Sequence, residues 1–463
     1  MTPRPVGAPL ASVLGLVGHT PLVEVASLDR GPCRLFLKLE SWNPGGSIKD
    51  RVALSMIEAA EADGRLRPGG TIVEATAGNT GLGLAQVGLP KGYRVILVVP
   101  DKMSREKILH LRALGVDVRI TRSDVGKGHP DYYQDMAARI AAATPGAFFV
   151  DQFANPANPL AHERSTGPEI FEAMGGDVDA VVVGVGSGGT LTGLGRYFRR
   201  VSPKTKIVLA DPVGSILAPL VERGERIEPG AWTVEGIGED FVPPNADLSL
   251  ISKAYSISDR ESMGAARDLL AAEGILAGSS SGTLLAAALK WCRAQNEPKR
   301  VVSLVCDTGA KYLSKVFNDT WLGEEGLTAR DLHGDLRDLV ARRHGDGGTV
   351  TVAPDDTLLT AYKRMRGADV SQLPVLEAGR LVGLLDEGDL LAALGAPGEA
   401  QGRFAGKVGS AMSTSVRTLQ AREPIAAVLP VFERGDVAVI LDGPEFLGLV
   451  TRVDLINQLR LAS

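Results

Sequence analysis

A lysine at a predicted helix start is the first residue whose setting suggests chemistry. In the stretch NPGGSIKDR (43–51), Lys49 follows two glycines that permit close backbone approach. Ser47 and Asp50 match the Ser/Thr-x-x-Asp/Glu pattern of a helix start, which predicts Lys49 in the first turn. The positive helix end and an apolar setting both lower the pKa of a lysine, and such an amine suits covalent bonding to a carbonyl group or proton transfer. The alternative is a solvated lysine near an ordinary helix start.

A second candidate is the glycine-rich stretch EATAGNTGLGLA (74–85), which follows the predicted strand TIVEA. Thr76, Asn79 and Thr80 lie among its glycines where the strand passes into a helix. Free backbone N–H groups at such a turn can hold a carboxylate. The alternative is an ordinary glycine-rich turn between a strand and a helix.

A third candidate, GVGSGGTLTG (184–193), follows an apolar strand and precedes a helix. It can offer backbone amides and hydroxyls to a phosphate through Gly186, Ser187, Gly188, Gly189 and Thr190. The same stretch satisfies G-x-G-x-x-G from Gly184 onward, and Asp211 ends the next strand, so a nicotinamide-dinucleotide site is an open alternative. The dense hydroxyls suit one terminal phosphate better than a pyrophosphate.

A fourth candidate is GILAGSSSGTLLAAAL (274–289), in which Ser279, Ser280 and Ser281 open another predicted helix. Serine is a common helix cap, so this stretch has a purely structural explanation as well. No cluster of His, Cys, Asp or Glu has the spacing of a metal site, and none is predicted.

These candidates need a scaffold, and the pattern from about residue 20 to 310 predicts one. Apolar β-branched runs such as RVILVVP (94–100) and KIVLADP (206–212) alternate with helix-length segments. That pattern predicts an α/β fold with a mostly parallel sheet covered on both faces. The formal net charge of −5, without a long basic run, argues against nucleic acid or an anionic membrane as partner. Three distant cysteines and the lack of a bilayer-length apolar stretch predict a cytoplasmic protein.

The C-terminal part of the chain contains an internal repeat of about fifty residues. Each copy is predicted to run strand, helix, strand, turn, strand, helix, and ends in a Gly-apolar-apolar-x-x-x-Asp-Leu segment. A charged, glycine-rich stretch precedes the first copy and is predicted to be a linker. The predicted domains are 1–320, a linker over 321–348, and two repeats over 349–396 and 405–463.

Taken together, the four stretches and the repeat resemble the fold-type II pyridoxal-phosphate enzymes, and within them the cystathionine β-synthase family. GHTPLVEV, DQFANPANPLAH, VEGIGEDF and SKVFNDTW extend the resemblance over nearly the whole chain, and the repeat resembles a tandem pair of CBS domains (a Bateman module). The resemblance implies two three-layer α/β subdomains like those of the tryptophan synthase β-subunit. It also implies a lyase of cysteine biosynthesis (transsulfuration) that condenses L-serine and L-homocysteine to L-cystathionine.

Family roles carry over to matching positions of this chain. Lys49 would hold pyridoxal 5′-phosphate covalently and serve as the catalytic base. Asn79 would bind the ring oxygen, Ser280 would face the pyridine nitrogen, and residues 186–190 would bind the phosphate. The substrate carboxylate would lie against Thr76, Ala77, Thr80 and Gln152. The family usually has serine where this chain has Ala77, so one hydroxyl near the substrate is missing. No N-terminal extension that would hold a haem precedes the catalytic region, and no haem is expected.

The tail is expected to regulate activity. GLVTRVD of the second repeat keeps Thr451 and Asp454 at the positions where CBS domains contact a ribose. The first repeat keeps Asp389 but has Asp386 in place of the hydroxyl residue, and that carboxylate would repel phosphates. The resemblance suggests S-adenosylmethionine as the ligand near Thr451 and Asp454; the alternative is a module that only dimerises or packs on the core. A homodimer or a larger homo-oligomer is expected.

Three functional alternatives stay open at this point. The first is cysteine synthase, with O-acetylserine and sulfide as substrates. The second is a nicotinamide-dependent dehydrogenase built on residues 184–211. The third is a ligand-sensing protein whose catalytic core is vestigial.

Overall fold

The computed structural model describes residues 9–462 except 77, 102, 104, 127, 329–331 and 396–399. The chain divides into two compact units that meet between Asn318 and Asp319, two residues before the predicted domain boundary. Among the described residues, no helix combines the length and the apolar character needed to cross a membrane.

The first unit contains two sheets whose strands alternate with helices. Its strands are β1 (Leu22–Val25), β2 (Arg34–Leu39), β3 (Thr71–Ala75), β4 (Arg94–Pro100), β5 (Asp117–Thr121), β6 (Ala147–Phe149), β7 (Ala180–Gly184), β8 (Lys206–Pro212), β9 (Ile251–Ile257) and β10 (Arg300–Val305). Its helices are α1 (Lys49–Ala62), α2 (Asn79–Gly88), α3 (Arg105–Ala113), α4 (Tyr133–Ala143), α5 (Ala157–Ala161), α6 (Gly167–Ala173), α7 (Gly189–Val201), α8 (Leu217–Arg223), α9 (Asp259–Glu273) and α10 (Ser279–Arg293).

The larger sheet has the strand order β1-β2-β10-β7-β8-β9, and the smaller one β5-β4-β3-β6. Only the pairing of β1 with β2 is antiparallel among the paired strands of these two sheets in the described residues. Every residue of β3 is buried, and so is every residue of β4 after Arg94, because helices cover both faces. The predicted mostly parallel α/β fold is therefore confirmed.

Parallel strands bring their carboxyl ends to one edge of a sheet, and the candidate stretches follow such ends. The turn before α2 follows β3, and the loop before α7 follows β7. Residues 306–311 follow β10, which pairs with β7 in the same sheet. This topology determines which loops form the candidate site.

The second unit contains the two repeats. Its helices are α11 (Asp319–Glu324), α12 (Leu358–Ala368), α13 (Glu387–Leu394), α14 (Leu429–Phe432) and α15 (Arg452–Ala462). Its strands are β11 (Gln372–Glu377), β12 (Arg380–Asp386), β13 (Thr418–Gln420), β14 (Ala438–Asp442) and β15 (Glu445–Val450). The first strand predicted for the first repeat is only a bridge between Val352 and Val375. In the second repeat the predicted helix divides into a 3-10 turn (Ile425–Val428) and the short α14, whose first turn contains Pro430.

Core packing in this unit crosses the predicted boundaries. Leu336, Leu339 and Val340, from the predicted linker, are buried in the core of the second repeat. Val408, placed by prediction in the second repeat, is instead buried in the core of the first repeat. The core of the second repeat therefore includes residues from the segment before the first repeat. The core of the first repeat includes a residue from the segment that follows it.

Candidate active site

Lys49 is the first residue of α1, but the predicted capping box is wrong. The residue before the helix is Ile48, whose side chain makes no capping bond, and the Ser47 hydroxyl accepts from the Lys49 amide over 3.3 Å rather than from the Asp50 amide as a capping box requires. Ser47 is drawn away because it pairs with Asp307 in a β-bridge, while the Ile48 amide donates to the Cys306 carbonyl over 2.8 Å. The Asp50 carboxylate accepts from the Gly45 amide, so it closes the bend before the helix rather than the box.

The Lys49 side chain is half-buried, and its amine has no hydrogen-bond partner in the part of the chain that the structure describes. Burial lowers the pKa of its ammonium, while Cys306 and Asp307 act in the opposite direction. An amine with a lowered pKa is unprotonated for a larger share of the time and can act as a nucleophile or a base.

Asn79 begins α2, and two oppositely charged side chains hold its amide. Its Nδ2 donates to Asp307 Oδ2 over 2.6 Å, and its Oδ1 accepts from Lys311 Nζ over 2.9 Å. Gly78, which precedes it, has φ +117°, and a Cβ there would lie 2.6 Å from the Lys107 side chain. The turn therefore requires glycine for both conformation and space.

The residues expected to bind the substrate carboxylate differ in their surroundings. Thr80 and Gln152 are buried side by side, with Thr80 Oγ1 donating to Gln152 Oε1 over 2.6 Å. The Thr76 hydroxyl is already used by the turn, where it accepts from the Gly78 and Gly81 amides. Ala77 lies outside the described residues.

The loop over 186–190 leads from β7 into α7. The first backbone amides of α7 have no hydrogen-bond acceptor within the helix. Gly188 is in the left-handed region at φ +83°. A Cβ at Gly186 would lie 2.5 Å from the Gly236 carbonyl, and one at Gly189 would lie 1.8 Å from Asn158 Oδ1. The loop therefore presents bare backbone at a helix N-terminus, which suits an anion such as a phosphate.

Side chains behind this loop orient its hydroxyls. Asn158 Nδ2 donates to Ser187 Oγ over 2.8 Å, and Thr190 Oγ1 lies 3.2 Å from His162 Nε2. Burial lowers the pKa of His162 to about 3, so its ring is neutral. A neutral imidazole can support the threonine hydroxyl without adding charge.

The three serines at the start of α10 are buried, and the outer two have backbone partners. Ser279 Oγ accepts from the Glu235 amide over 3.1 Å, and Ser281 Oγ accepts from the Cys306 amide over 2.9 Å. The Ser280 hydroxyl instead lies against the Cys306 thiol. The middle serine is thus the one whose hydroxyl no backbone amide occupies among the described residues.

The residues fit a ligand that carries an aldehyde, a ring and a phosphate, as pyridoxal 5′-phosphate does. The site combines a half-buried amine, a glycine loop at a helix start and buried polar side chains. Two buried acceptors in it, Asn158 Oδ1 and Asp307 Oδ1, have no hydrogen-bond partner among the described residues. Lys49, Asn79, Ser280 and the 186–190 loop are the groups that would hold the cofactor.

Sequence reasoning did not single out several residues of this region, among them Asn158, His162, Asp307 and Lys311. Asp307 and Lys311 follow the end of β10, in the stretch CDTGAKY. The rule that ligands bind at the carboxyl ends of parallel strands could have drawn attention to them. Asn158 and His162 lie in the stretch DQFANPANPLAH, which belongs to the resemblance although no role was assigned to either residue.

Asp211 does not have the surroundings that a dinucleotide site requires. Its carboxylate is fully buried, and Oδ2 accepts from the Ala218 amide over 2.8 Å. Burial raises its pKa to about 6. A ribose hydroxyl therefore could not reach this carboxylate without displacing α8.

In the second unit, Thr451 and Asp454 contact each other at the start of α15. The Thr451 amide and its Oγ1 donate to Asp454 Oδ2 over 2.6 and 2.7 Å. Asp386 and Asp389 form a capping box at the start of α13. Both pairs therefore stabilise a helix start, and any ligand at Thr451 and Asp454 would have to share these groups.

Comparisons with known proteins identify the family of the chain. Residues 13–307 match the family described as pyridoxal-phosphate dependent enzyme, and 347–396 and 408–461 match the CBS domain. The chain is 38% identical to cystathionine beta-synthase of Mus musculus over 83% of this chain and 70% of that one. It is 41% identical to cysteine synthase A of Escherichia coli (strain K12) over 67% of this chain and 96% of that one.

A solved structure, the O-acetylserine dependent cystathionine beta-synthase from Helicobacter pylori, superposes with a TM-score of 0.61. It is 34% identical and covers 66% of this chain and 98% of its own. The match to the family model covers more than half of the chain, and the relatives are similar over most of their length. The chain therefore belongs to the pyridoxal-phosphate-dependent enzyme family, and in it a catalytic unit of that family is followed by CBS domains.

Proposed function

We propose that the chain condenses L-serine and L-homocysteine to L-cystathionine and water by a β-replacement. The observation that carries this proposal is the position of Lys49, a half-buried amine with a lowered pKa. A β-bridge joins the chain just before it, at Ser47, to Asp307, and the Asp307 carboxylate also accepts from the Asn79 amide. Bound pyridoxal phosphate supplies an electron sink that acidifies the Cα–H of an amino acid. Lys49 takes the Cα proton and returns it at the end of the reaction.

The other residues orient the substrate and set the reaction type. Thr80 and Gln152 are close enough to receive the substrate carboxylate together, since their side chains already share a hydrogen bond. Ser280 offers a neutral hydroxyl to the cofactor's ring nitrogen, and a neutral partner leaves that nitrogen largely unprotonated. That weaker electron sink favours loss of the β-substituent over transamination.

O-acetylserine with sulfide is the second candidate pair of substrates. Its support is the similarity to cysteine synthase A and to the O-acetylserine dependent enzyme from Helicobacter pylori. Product analysis across both donors and both thiols, with and without S-adenosylmethionine, separates the two. Cystathionine from serine is the expected product, and cysteine formed only from O-acetylserine and sulfide would contradict the proposal.

The proposal extends to regulation and cellular setting. S-adenosylmethionine is proposed to bind near Thr451 and Asp454, and calorimetry that detects neither its binding nor that of adenine nucleotides would contradict this. We expect a cytoplasmic homo-oligomer without haem. The three unpaired cysteines support the cytoplasmic expectation, because disulfides are rare in that reducing compartment. Light scattering tests the oligomer, and a visible absorption spectrum without haem bands tests the expected absence of haem.

A further inference from the structure

Lys311 is a buried lysine that joins two segments of the candidate site. It ends a 3-10 turn (Gly309–Lys311) after β10, and only 5% of it is exposed. Its Nζ donates to Asn79 Oδ1 over 2.9 Å and to the Gly45 carbonyl over 2.8 Å, with the Gly46 carbonyl at 3.3 Å. One ammonium group thus connects the turn before α2 to the bend before Lys49.

This contact determines which way the Asn79 amide faces. An ammonium can only donate hydrogen bonds, whereas an ionised carboxylate can only accept them. Lys311 therefore requires the amide oxygen on its side, and Asp307 requires the amide nitrogen on the other. Rotating the amide by half a turn would lose both bonds, so the pair selects one orientation. The amide nitrogen has two N–H groups: one donates to Asp307, and the Tyr312 hydroxyl is also within hydrogen-bonding reach, so the ring oxygen of a ligand would share or replace that second contact.

The bend on the other side of Lys311 also depends on the contact. Gly46 is in the left-handed region at φ +72°, a Cβ there would lie 3.0 Å from Thr308 Cγ2, and the Gly46 carbonyl lies 3.3 Å from Lys311 Nζ. In the same bend, the Asp50 carboxylate accepts a hydrogen bond from the Gly45 amide, and the Lys311 ammonium donates one to the Gly45 carbonyl. The path of the chain into Lys49 is therefore held by one anion and one cation.

We propose that Lys311 is a positioning residue for pyridoxal phosphate, because it fixes both the Asn79 amide and the bend that leads into Lys49. It also places a positive charge beside the amide that would bind the ring oxygen of the cofactor. The proposal rests on the cofactor assignment made above. Nothing in the local sequence around KYLSK indicates such a role.

The electrostatic surroundings of Lys311 make the proposal testable by pH. Asp307 and Asp50 favour its charged form, Lys107 disfavours it, and His110 also faces it. Burial dominates and lowers the pKa of Lys311 to about 8. The charge beside Asn79 should therefore disappear within a range of pH in which the protein can be studied.

The test is a titration with pyridoxal 5′-phosphate of the full-length chain from which bound cofactor has been removed. Tryptophan fluorescence and cofactor absorbance measure the binding. We expect Lys311→Met to raise the dissociation constant about 10-fold to 100-fold, as for loss of a charge-assisted hydrogen bond. Lys311→Gln, which keeps a donor without the charge, should raise it about 3-fold to 10-fold. Lys299→Met, at a partly exposed surface lysine paired with Glu297, is the matched control and should bind as the wild type does.

The pH profile separates positioning from a general loss of stability. Between about pH 7 and about pH 9.5, cofactor affinity of the wild type should fall more steeply than that of Lys311→Met, because only the wild type loses the Lys311 charge. Equal dissociation constants, or equal pH profiles, for wild type and Lys311→Met would overturn the proposal. If Lys311→Met fails to fold, Lys311→Gln gives the same comparison. A wild-type chain that does not bind pyridoxal phosphate would instead contradict the proposed function.

Discussion

Two buried networks of charged side chains lie in the first unit, and they differ in what they leave unpaired. The anchor network consists of Thr20, Lys38, Glu40, Arg51 and Glu169. Arg51 contacts both carboxylates over 2.7 to 2.8 Å, and Lys38 contacts Glu169 over 2.7 Å. None of its side-chain atoms is among the buried polar atoms that have no partner in the described residues.

The site network consists of Asn79, Lys107, Glu235, Asp307, Lys311 and Tyr312. Lys107 Nζ donates to Glu235 and to the Tyr312 hydroxyl over 2.8 Å each, and that hydroxyl donates to Asp307 over 2.6 Å. Asp307 Oδ1, in contrast, has no partner among the described residues. The network also lies beside the half-buried amine of Lys49, whose pKa is affected by Asp307.

The difference separates two uses of buried charge in one fold. The anchor network satisfies its own groups and holds the first turn of α1, because Arg51 lies two residues after Lys49. Such a closed set stabilises the backbone that carries the reactive amine. The site network keeps an acceptor unused and an amine nearby, which is the arrangement expected where a ligand completes the hydrogen bonding. Variants in the two networks should therefore have different effects on activity and stability.

The largest effect is expected from Lys49→Ala. Activity should fall about 1,000-fold or more, because the residue proposed to take and return the Cα proton is removed. Stability should change by less than about 1 kcal/mol, since the amine makes no hydrogen bond within the described residues. Turnover assays and thermal unfolding measure the two quantities. A variant that keeps wild-type activity would contradict the proposed mechanism.

Arg51→Met should lower stability far more than Lys49→Ala does. It leaves the buried carboxylates of Glu40 and Glu169 uncompensated, and the free energy of unfolding should fall by about 3 to 5 kcal/mol. The matched control is Arg34→Met, because Arg34 and Glu24 form an ion pair of similar length on the surface. Its cost should be about 0 to 1 kcal/mol. Urea unfolding compares the two variants, and equal losses of stability would show that burial does not raise the cost of breaking an ion pair in this protein.

A smaller effect is expected in the pH dependence of the anchor network. Burial alone would raise the pKa of Glu169, but Arg51 and Lys38 outweigh it and lower the pKa from 4.5 to about 2. The folded state therefore holds this proton less tightly than the unfolded state. The stability due to Glu169 is fully present above pH 4.5 and is lost as pH falls toward about 2.

Glu169→Gln tests that dependence directly. The variant should be less stable than the wild type at neutral pH, and the difference should narrow as pH falls below 4.5. Unfolding in urea at a series of pH values measures it. A difference in stability that stays constant down to the lowest pH would show that the Glu169 carboxylate does not gain its charge preference from Arg51 and Lys38.

Local pattern predicted most of the scaffold and the residues with the strongest motifs. Apolar runs identified β3, β4 and β8 with their observed bounds, because a strand covered on both faces has a continuous apolar sequence. The predicted capping box at Ser47 and Asp50 was wrong, since a bridge to Asp307, 260 positions further along the chain, moves Ser47 out of the cap position. The core packing of Leu336 and Val408 was also missed for lack of a local signal.

The sequence by itself determined the alternation of strands and helices, the internal repeat and the four stretches that contain Lys49, Asn79, Ser280 and the 186–190 loop. Those features follow from periodicity and turn chemistry within a few residues. Only the tertiary structure decided that Asp307 and Lys311, 228 and 232 residues from Asn79, hold its amide from opposite sides. Contacts between distant strand ends depend on how the sheets are assembled, and no short stretch of sequence encodes that assembly.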